Sequence, residues 1–147
     1  KVKVNASILI IGNEILSGRT QDTNTSTLAI WLNSIGVNVG EVRVIPDVEE
    51  TIVDTLNLLR TKYDYVFTTG GIGPTHDDIT AQSVSKAFGI KYEVHKEAFK
   101  ILEAYYQPGE FNKGRQKMAW MPEKAKLILN PTSGAPGKCS YSKYYGS

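Results

Sequence analysis

The sequence has 147 residues, 41% of them hydrophobic and 22% charged, and its formal net charge is +2. That length suits one packed domain, and so small a charge excess, without a Lys/Arg cluster, argues against a nucleic-acid partner. The longest early apolar run, Ile8 to Ile11, is too short for a membrane span or a signal peptide, so no membrane partner is expected. A lone cysteine, Cys139, excludes an internal disulfide framework and fits a reducing, cytoplasmic setting.

The elements follow in chain order. "ASILIIG" is a short continuous apolar run, the pattern of a strand buried on both faces. Leu28, Trp31, Leu32 and Ile35 recur at helical spacing and predict a helix closed by Gly36. "VNVGEVRVI" predicts a second strand, with Gly40 at a bulge. Val48, Ile52, Leu56 and Leu59 give the next helix one apolar stripe. "YDYVFTT" is the third strand, and "ITAQSVSKAFG" the helix after it, with Ala81, Val84 and Phe88 facing inward. "IKYEVH" reads as a short edge strand, Ala98, Ile101, Leu102 and Tyr105 mark another helix, and "KLILN" is a late strand. Strands alternating with helices imply an α/β domain with a mainly parallel sheet.

In such sheets ligands sit beyond the carboxyl ends of the strands. Three polar segments should converge there: "GNEILSGRTQDTN", "PDVEE" and "GGIGPTHDD". Gly70, Gly71 and Gly73 remove side chains that would keep backbone N–H groups from a phosphate, and a helix comes after them whose N-terminus favours anions. The pattern is neither a Walker loop nor a dinucleotide fingerprint, so a plain strand-to-helix turn is the competing reading. The acids have bland readings too. Asp77 and Asp78 precede a helix, Asp47-x-x-Glu50 has capping-box spacing, and Asp22 precedes the first helix. Their combination with a glycine loop makes sense if a metal bridges acids to phosphate, since a hard divalent cation such as Mg²⁺ takes carboxylate and phosphate oxygens together. His76 reads as a ligand, a phosphate donor or a solvated loop histidine.

"IIGNEILSGRTQDTN", "RVIPDVEET", "TTGGIGPTHDDIT" and "NPTSGAPG" resemble the N-terminal domain of the CinA (competence/damage-inducible) family, within the MoaB/Mog-like molybdopterin-binding superfamily. They are also similar to the corresponding domain of FAD synthases. The resemblance spans residues 6 to about 137 and implies a three-layer α/β/α sandwich. It places Thr69, Gly70, Gly71, Gly73 and Pro74 on the ligand loop. Asp47 and Asp78 fall on the two acids associated with activity, with Asp77 assisting them as a metal ligand. Glu14, Asp22 and Asn24 fall on a first ligand loop, and Ser133 and Gly134 on the last. The ligand implied is a phosphorylated pterin, molybdopterin included, or a nucleotide, bound with a divalent metal in a homo-oligomer. CinA-type and FAD-synthase-type relatives are associated with hydrolysing pyrophosphate bonds, as in ADP-ribose or FAD, whereas Mog-type relatives adenylylate molybdopterin. A binding module without turnover is the remaining alternative.

The resemblance stops at the tail. Residues 1–137 read as the domain and 138–147 as an atypical extension. "KCSYSKYYGS" lacks strict alternation, so the expectation is a fold without its last strand and helix, whose tail packs irregularly and whose uncovered face self-associates.

Overall fold

The computed structural model describes residues 3–129 and 141–144. The chain divides into two compact units, Lys1–Gly71 and Ile72–Ser147.

The first unit is built on β1 (Val4–Ile11), which lies between β2 (Val37–Ile45) and β3 (Tyr65–Thr69), both parallel to it. Residues 6–11 are all buried, as a continuous apolar run in a central strand requires. Successive side chains point to opposite faces, so β1 needs cover on both. Ile8 and Ile10 pack with Leu32, Leu28 and Ala29 of α2 (Asn24–Ser34). Leu9 and Ile11, at 0% and 1% exposure, need the other face covered. There α3 (Glu49–Lys62), which contacts β1 and β3, brings the buried Ile52, Leu56 and Leu59. The unit thus has three layers: helix, parallel sheet, helix. Burying each such aliphatic side chain stabilises by roughly 1.5–3 kcal/mol. A one-turn helix, α1 (Asn13–Leu16), follows β1 directly.

Two backbone expectations hold. Gly36 lies just beyond the end of α2 with φ 88, the left-handed value that favours glycine, and its N–H donates to Asn33 O. The β1–β2 register slips between Ala6 and Ser7, leaving Gly40 as the extra residue. A Cβ on Gly40 would stand 2.8 Å from Cε1 of Tyr63, so the bulge makes room for that ring. Two apolar stripes differ from expectation. Trp31 and Ile35 are 55% and 56% exposed, leaving Leu28 and Leu32 as the face of α2 on the sheet, and Val48 is exposed ahead of α3.

In the second unit, α4 (Thr80–Phe88) buries Ala81, Val84 and Ala87 and ends at Gly89 in left-handed conformation, while Phe88 is only half-buried. The expected short strand is β4 (Tyr92–Val94), antiparallel to β5 (Trp120–Pro122). Between them, α5 (Lys96–Tyr105) turns Ala98 and Leu102 onto a core with Ala119, Met121 and Ala125. His95 caps α5, its Nδ1 accepting from Ala98 N–H at 3.2 Å. One further turn, α6 (Lys113–Gln116), runs into a 3-10 turn over Lys117–Ala119.

The tail departs from expectation. Tyr141–Tyr144 forms β7, antiparallel to β6 (Lys126–Leu129) in a two-stranded sheet apart from the parallel one, so these four residues are regular where an irregular tail is expected. Backbone pairing asks only for donors and acceptors in register, which the missing alternation does not remove. Among the described residues, no helix is long and apolar enough to cross a membrane.

One polar cluster fastens β2. Arg43 Nε and Tyr63 Oη donate to the carboxylate of Glu41, the latter at 2.9 Å, and Lys62 Nζ approaches at 3.4 Å. Hydrogen bonds from Arg43 and Tyr63 hold the Glu41 pKa down at about 2, from an ordinary 4.5. The same bond raises that of the Tyr63 phenol. A depressed carboxylate pKa adds stability that is present above the unfolded value and lost as pH falls toward the folded one. Glu41→Gln is therefore expected to lower the urea midpoint at pH 7. The difference from wild type should shrink from about pH 4.5 downward and close near pH 2.

Candidate functional site

Because β1, β2 and β3 are parallel, their carboxyl ends lie along one edge of the first unit. The backbone is tied together there. Gly12 N–H donates to Ile45 O at 3.0 Å. Beside it, Asn13 and Asp47 form a reciprocal pair: Asn13 N–H donates to Asp47 Oδ2, and Asp47 N–H to Asn13 Oδ1, each at 3.2 Å. Gly70, with φ 90, crosses so near β1 that a Cβ would stand 2.0 Å from Ile11 O. No side chain fits there. Gly71 also takes a left-handed φ, 67, and half-buried Thr69 ends β3 just before them. The carboxylate of Glu14 folds back over Gly12, where a Cβ would meet Oε1 at 2.6 Å.

Asp47 is no helix cap. α3 begins at Glu49 behind Val48, without a side-chain cap bond, while the Asp47 carboxylate serves the preceding loop. Asp22 does cap. Its Oδ1 accepts from Asn24 and Thr25 N–H at 3.1 and 3.3 Å, and its Oδ2 from Thr25 Oγ1, so the first turn of α2 occupies both oxygens. Asn24 thus enters as the donor that Asp22 binds.

In the second unit, Asp78 does not cap α4 either. That helix starts at Thr80 behind Ile79. Asp78 turns back instead, its Oδ2 accepting from Thr75 N–H at 3.0 Å and Thr75 Oγ1 at 2.7 Å, while Asp78 N–H donates to Thr75 O at 3.1 Å. Gly73 leaves room for this, since a Cβ there would stand 2.8 Å from Asp78 Oδ2. The glycines therefore do not run straight into a helix; a turn over Thr75–Asp78 intervenes. Pro74 is exposed at its entry. Asp77 faces solvent with His76, Oδ1 to Nε2 3.2 Å, both strongly exposed. Such a surface pair contributes little. Ser133 and Gly134 lie outside the described residues.

Taken separately, Asp47 in the first unit and Asp78 in the second could each lend one carboxylate oxygen to a hard cation that takes most of its ligands from elsewhere. Asp47 and Asp78 each hold one oxygen in backbone hydrogen bonds, and their Oδ1 atoms accept no hydrogen bond among the described residues. No three His, Cys, Asp or Glu among the described residues gather as a metal cage. Mg²⁺ needs none, since it uses one or two carboxylates and completes its shell with phosphate and water. Sequence reasoning had no role for Asn13, Thr75 or Lys117. Asn13 could have been found as the first polar residue beyond the carboxyl end of the central apolar strand, where ligands sit in such sheets.

With this geometry in view, the relatives fall into place. A family described as "Probable molybdopterin binding domain" matches residues 7–142. A protein of Pyrobaculum calidifontis is 42% identical over 134 residues, covering 90% of this chain and 51% of the relative. The crystal structure of CinA from Thermoplasma acidophilum superposes with a TM-score of 0.82 at 32% identity, covering 92% of this chain and 80% of that one. The molybdopterin biosynthesis enzyme MoaB of Thermus thermophilus gives 0.54 at 25% identity, covering 56% and 54%. The chain belongs to the molybdopterin-binding domain family, as a CinA-type N-terminal domain with the MoaB/Mog-like fold. It spans about half the length of the Pyrobaculum relative.

The three aspartates should separate by substitution. Asp22→Ala removes a helix cap and is expected to cost about 1 kcal/mol in chemical denaturation. Asp47→Asn keeps an amide oxygen for Asn13 N–H and is expected to leave stability almost unchanged. Gly73→Ala is expected to displace the Asp78 side chain, read as loss of the Thr75 amide's hydrogen-bonded NMR shift.

Proposed function

We propose that this domain binds a phosphorylated nucleotide or pterin and hydrolyses a pyrophosphate bond of it with a divalent metal, ADP-ribose and FAD being the model substrates. One observation carries the reading. The aspartates that could have been simple helix caps, Asp47 and Asp78, cap nothing and are held instead by loop backbone. A carboxylate oriented by one oxygen, with the other left for a ligand, is what a metal-dependent phosphate site requires.

When bound, a divalent cation would polarise the phosphoanhydride and lower the pKa of its water. The chain's own residues do the rest. Asp47, oriented by Asn13 N–H, supplies fixed negative charge at the edge of the first unit. Asp78 does so in the loop of the second, oriented by Thr75. Gly70 and Gly71 keep side chains away from backbone that is to meet phosphate oxygens, where N–H groups stabilise developing charge. Asp77, His76 and Glu14 stand as outer polar groups. The MoaB likeness favours a second reading, transfer of an adenylyl group to molybdopterin, which would use the same carboxylates.

A screen over ADP-ribose, FAD, NAD and adenylylated pterin with Mg²⁺, Mn²⁺ and Co²⁺ tests the proposal. Metal-dependent release of a nucleoside monophosphate is expected. Asp47→Asn and Asp78→Asn are each expected to lower kcat by at least about a hundredfold, with little change in melting temperature. Saturable binding with no turnover would leave a binding module, and formation of adenylylated pterin with release of pyrophosphate, when ATP and molybdopterin are supplied together, would select the second reading.

A further inference from the structure

The loop from Gly73 to Asp78 carries two carboxylates, and a segment meant for phosphate needs positive charge that it does not supply itself. His76 is exposed and turned toward Asp77. A cation does arrive from far along the chain. Lys117 Nζ donates to Thr75 O at 2.8 Å, and Thr75 is the same residue whose N–H and hydroxyl hold Asp78.

The chain takes several steps to bring it there. Asn112 caps α6, its side-chain oxygen accepting from Arg115 N–H at 2.9 Å. Gln116 Nε2 donates back to Phe111 O at 2.9 Å, and the guanidinium of Arg115 lies 4.6 Å from the centre of the Tyr106 ring. Gly114 sits against the loop itself, since a Cβ there would stand 2.9 Å from Pro74 O. Residues 112–117 are thereby seated on the backbone of Pro74 and Thr75, with the Lys117 side chain half-buried.

A latch on a carbonyl asks only for a neutral donor, whereas an ammonium brings a full charge and three donors. The Thr75 carbonyl takes one of those donors and neutralises nothing. Among the described residues no carboxylate pairs with Lys117. We infer that Lys117, building on the nucleotide reading above, is the phosphate-binding cation of this loop: it seats Thr75 through one N–H and offers the others to an oxygen of the ligand's diphosphate. Lysine suits this task because a point charge binds phosphate without demanding a planar fork.

Calorimetric titration of ADP-ribose with Mg²⁺, over a series of salt concentrations, tests it on wild type, Lys117→Arg and Lys117→Gln. The glutamine keeps a neutral donor and loses the charge. It is expected to weaken binding roughly ten- to a hundredfold, the worth of a charged hydrogen bond, and to flatten the salt dependence. Arginine should restore most of both. Unchanged affinity in Lys117→Gln, or weakening with the full salt dependence kept, would overturn the assignment and leave a structural latch. The ¹⁵Nζ NMR signal of Lys117 in the wild-type protein tests the contact without a variant, since a ligand that touches the ammonium must shift it; a signal unmoved at saturating ADP-ribose would also overturn the assignment. Wild type that binds none of ADP-ribose, FAD or adenylylated pterin would instead sink the nucleotide reading itself.

Discussion

The first unit depends on burying both faces of one strand. β1 has no polar face to offer water, so it must lie between two strands and under helices on both sides. Cover from α2 and α3 requires each connection to cross over, which makes the neighbouring strands parallel and sends all three carboxyl ends the same way. The apolar run then has to stop, and it stops at Gly12. The segment after each strand is polar by necessity. The chain uses that necessity to place Asn13, Asp47 and Gly70 at one edge, with Asn13 and Asp47 holding each other.

Each acid finds a different solution to the same local problem. An aspartate near a helix start is drawn to the unpaired N–H groups there, worth about 1 kcal/mol. Asp22 takes that course. Asp47 and Asp78 forgo it, one for the N–H of Asn13 and the other for Thr75. An exposed pair such as His76–Asp77 is screened by water and counts for little, so position, not the mere number of acids, separates them.

Much of this is legible in the sequence, and the failures are instructive. The strand run 6–11, the bulge at Gly40 and the stop at Gly36 each rest on one local rule, and each stands. Helix faces are harder. On α2, Leu28–Leu32 and Trp31–Ile35 are both i, i+4 pairs on neighbouring stripes, and only the sheet decides that the first is covered. Asp22, Asp47 and Asp78 each lie two residues ahead of a helix, yet only Asp22 caps; spacing cannot separate them, because what diverts the other two carboxylates is the N–H of Asn13, 34 positions away, and the turn at Thr75. In the tail, β7 pairs with β6 through its backbone in a two-stranded sheet of its own, which the irregular side-chain pattern of "KCSYSKYYGS" does not reveal. Lys117 was invisible for the plainest reason, since nothing local links it to a loop 42 positions earlier.

The proposed function asks carboxylates and glycine loops to serve one phosphorylated ligand, and that proposal stands or falls with a divalent cation. The direct measurement is the affinity of wild-type protein for ADP-ribose, by calorimetry, in Mg²⁺ and again in EDTA. Binding that tightens at least about tenfold with the metal is the predicted result, as carboxylate repulsion of a diphosphate demands. Equal affinity in EDTA would contradict it and return Asp47 and Asp78 to loop architecture alone.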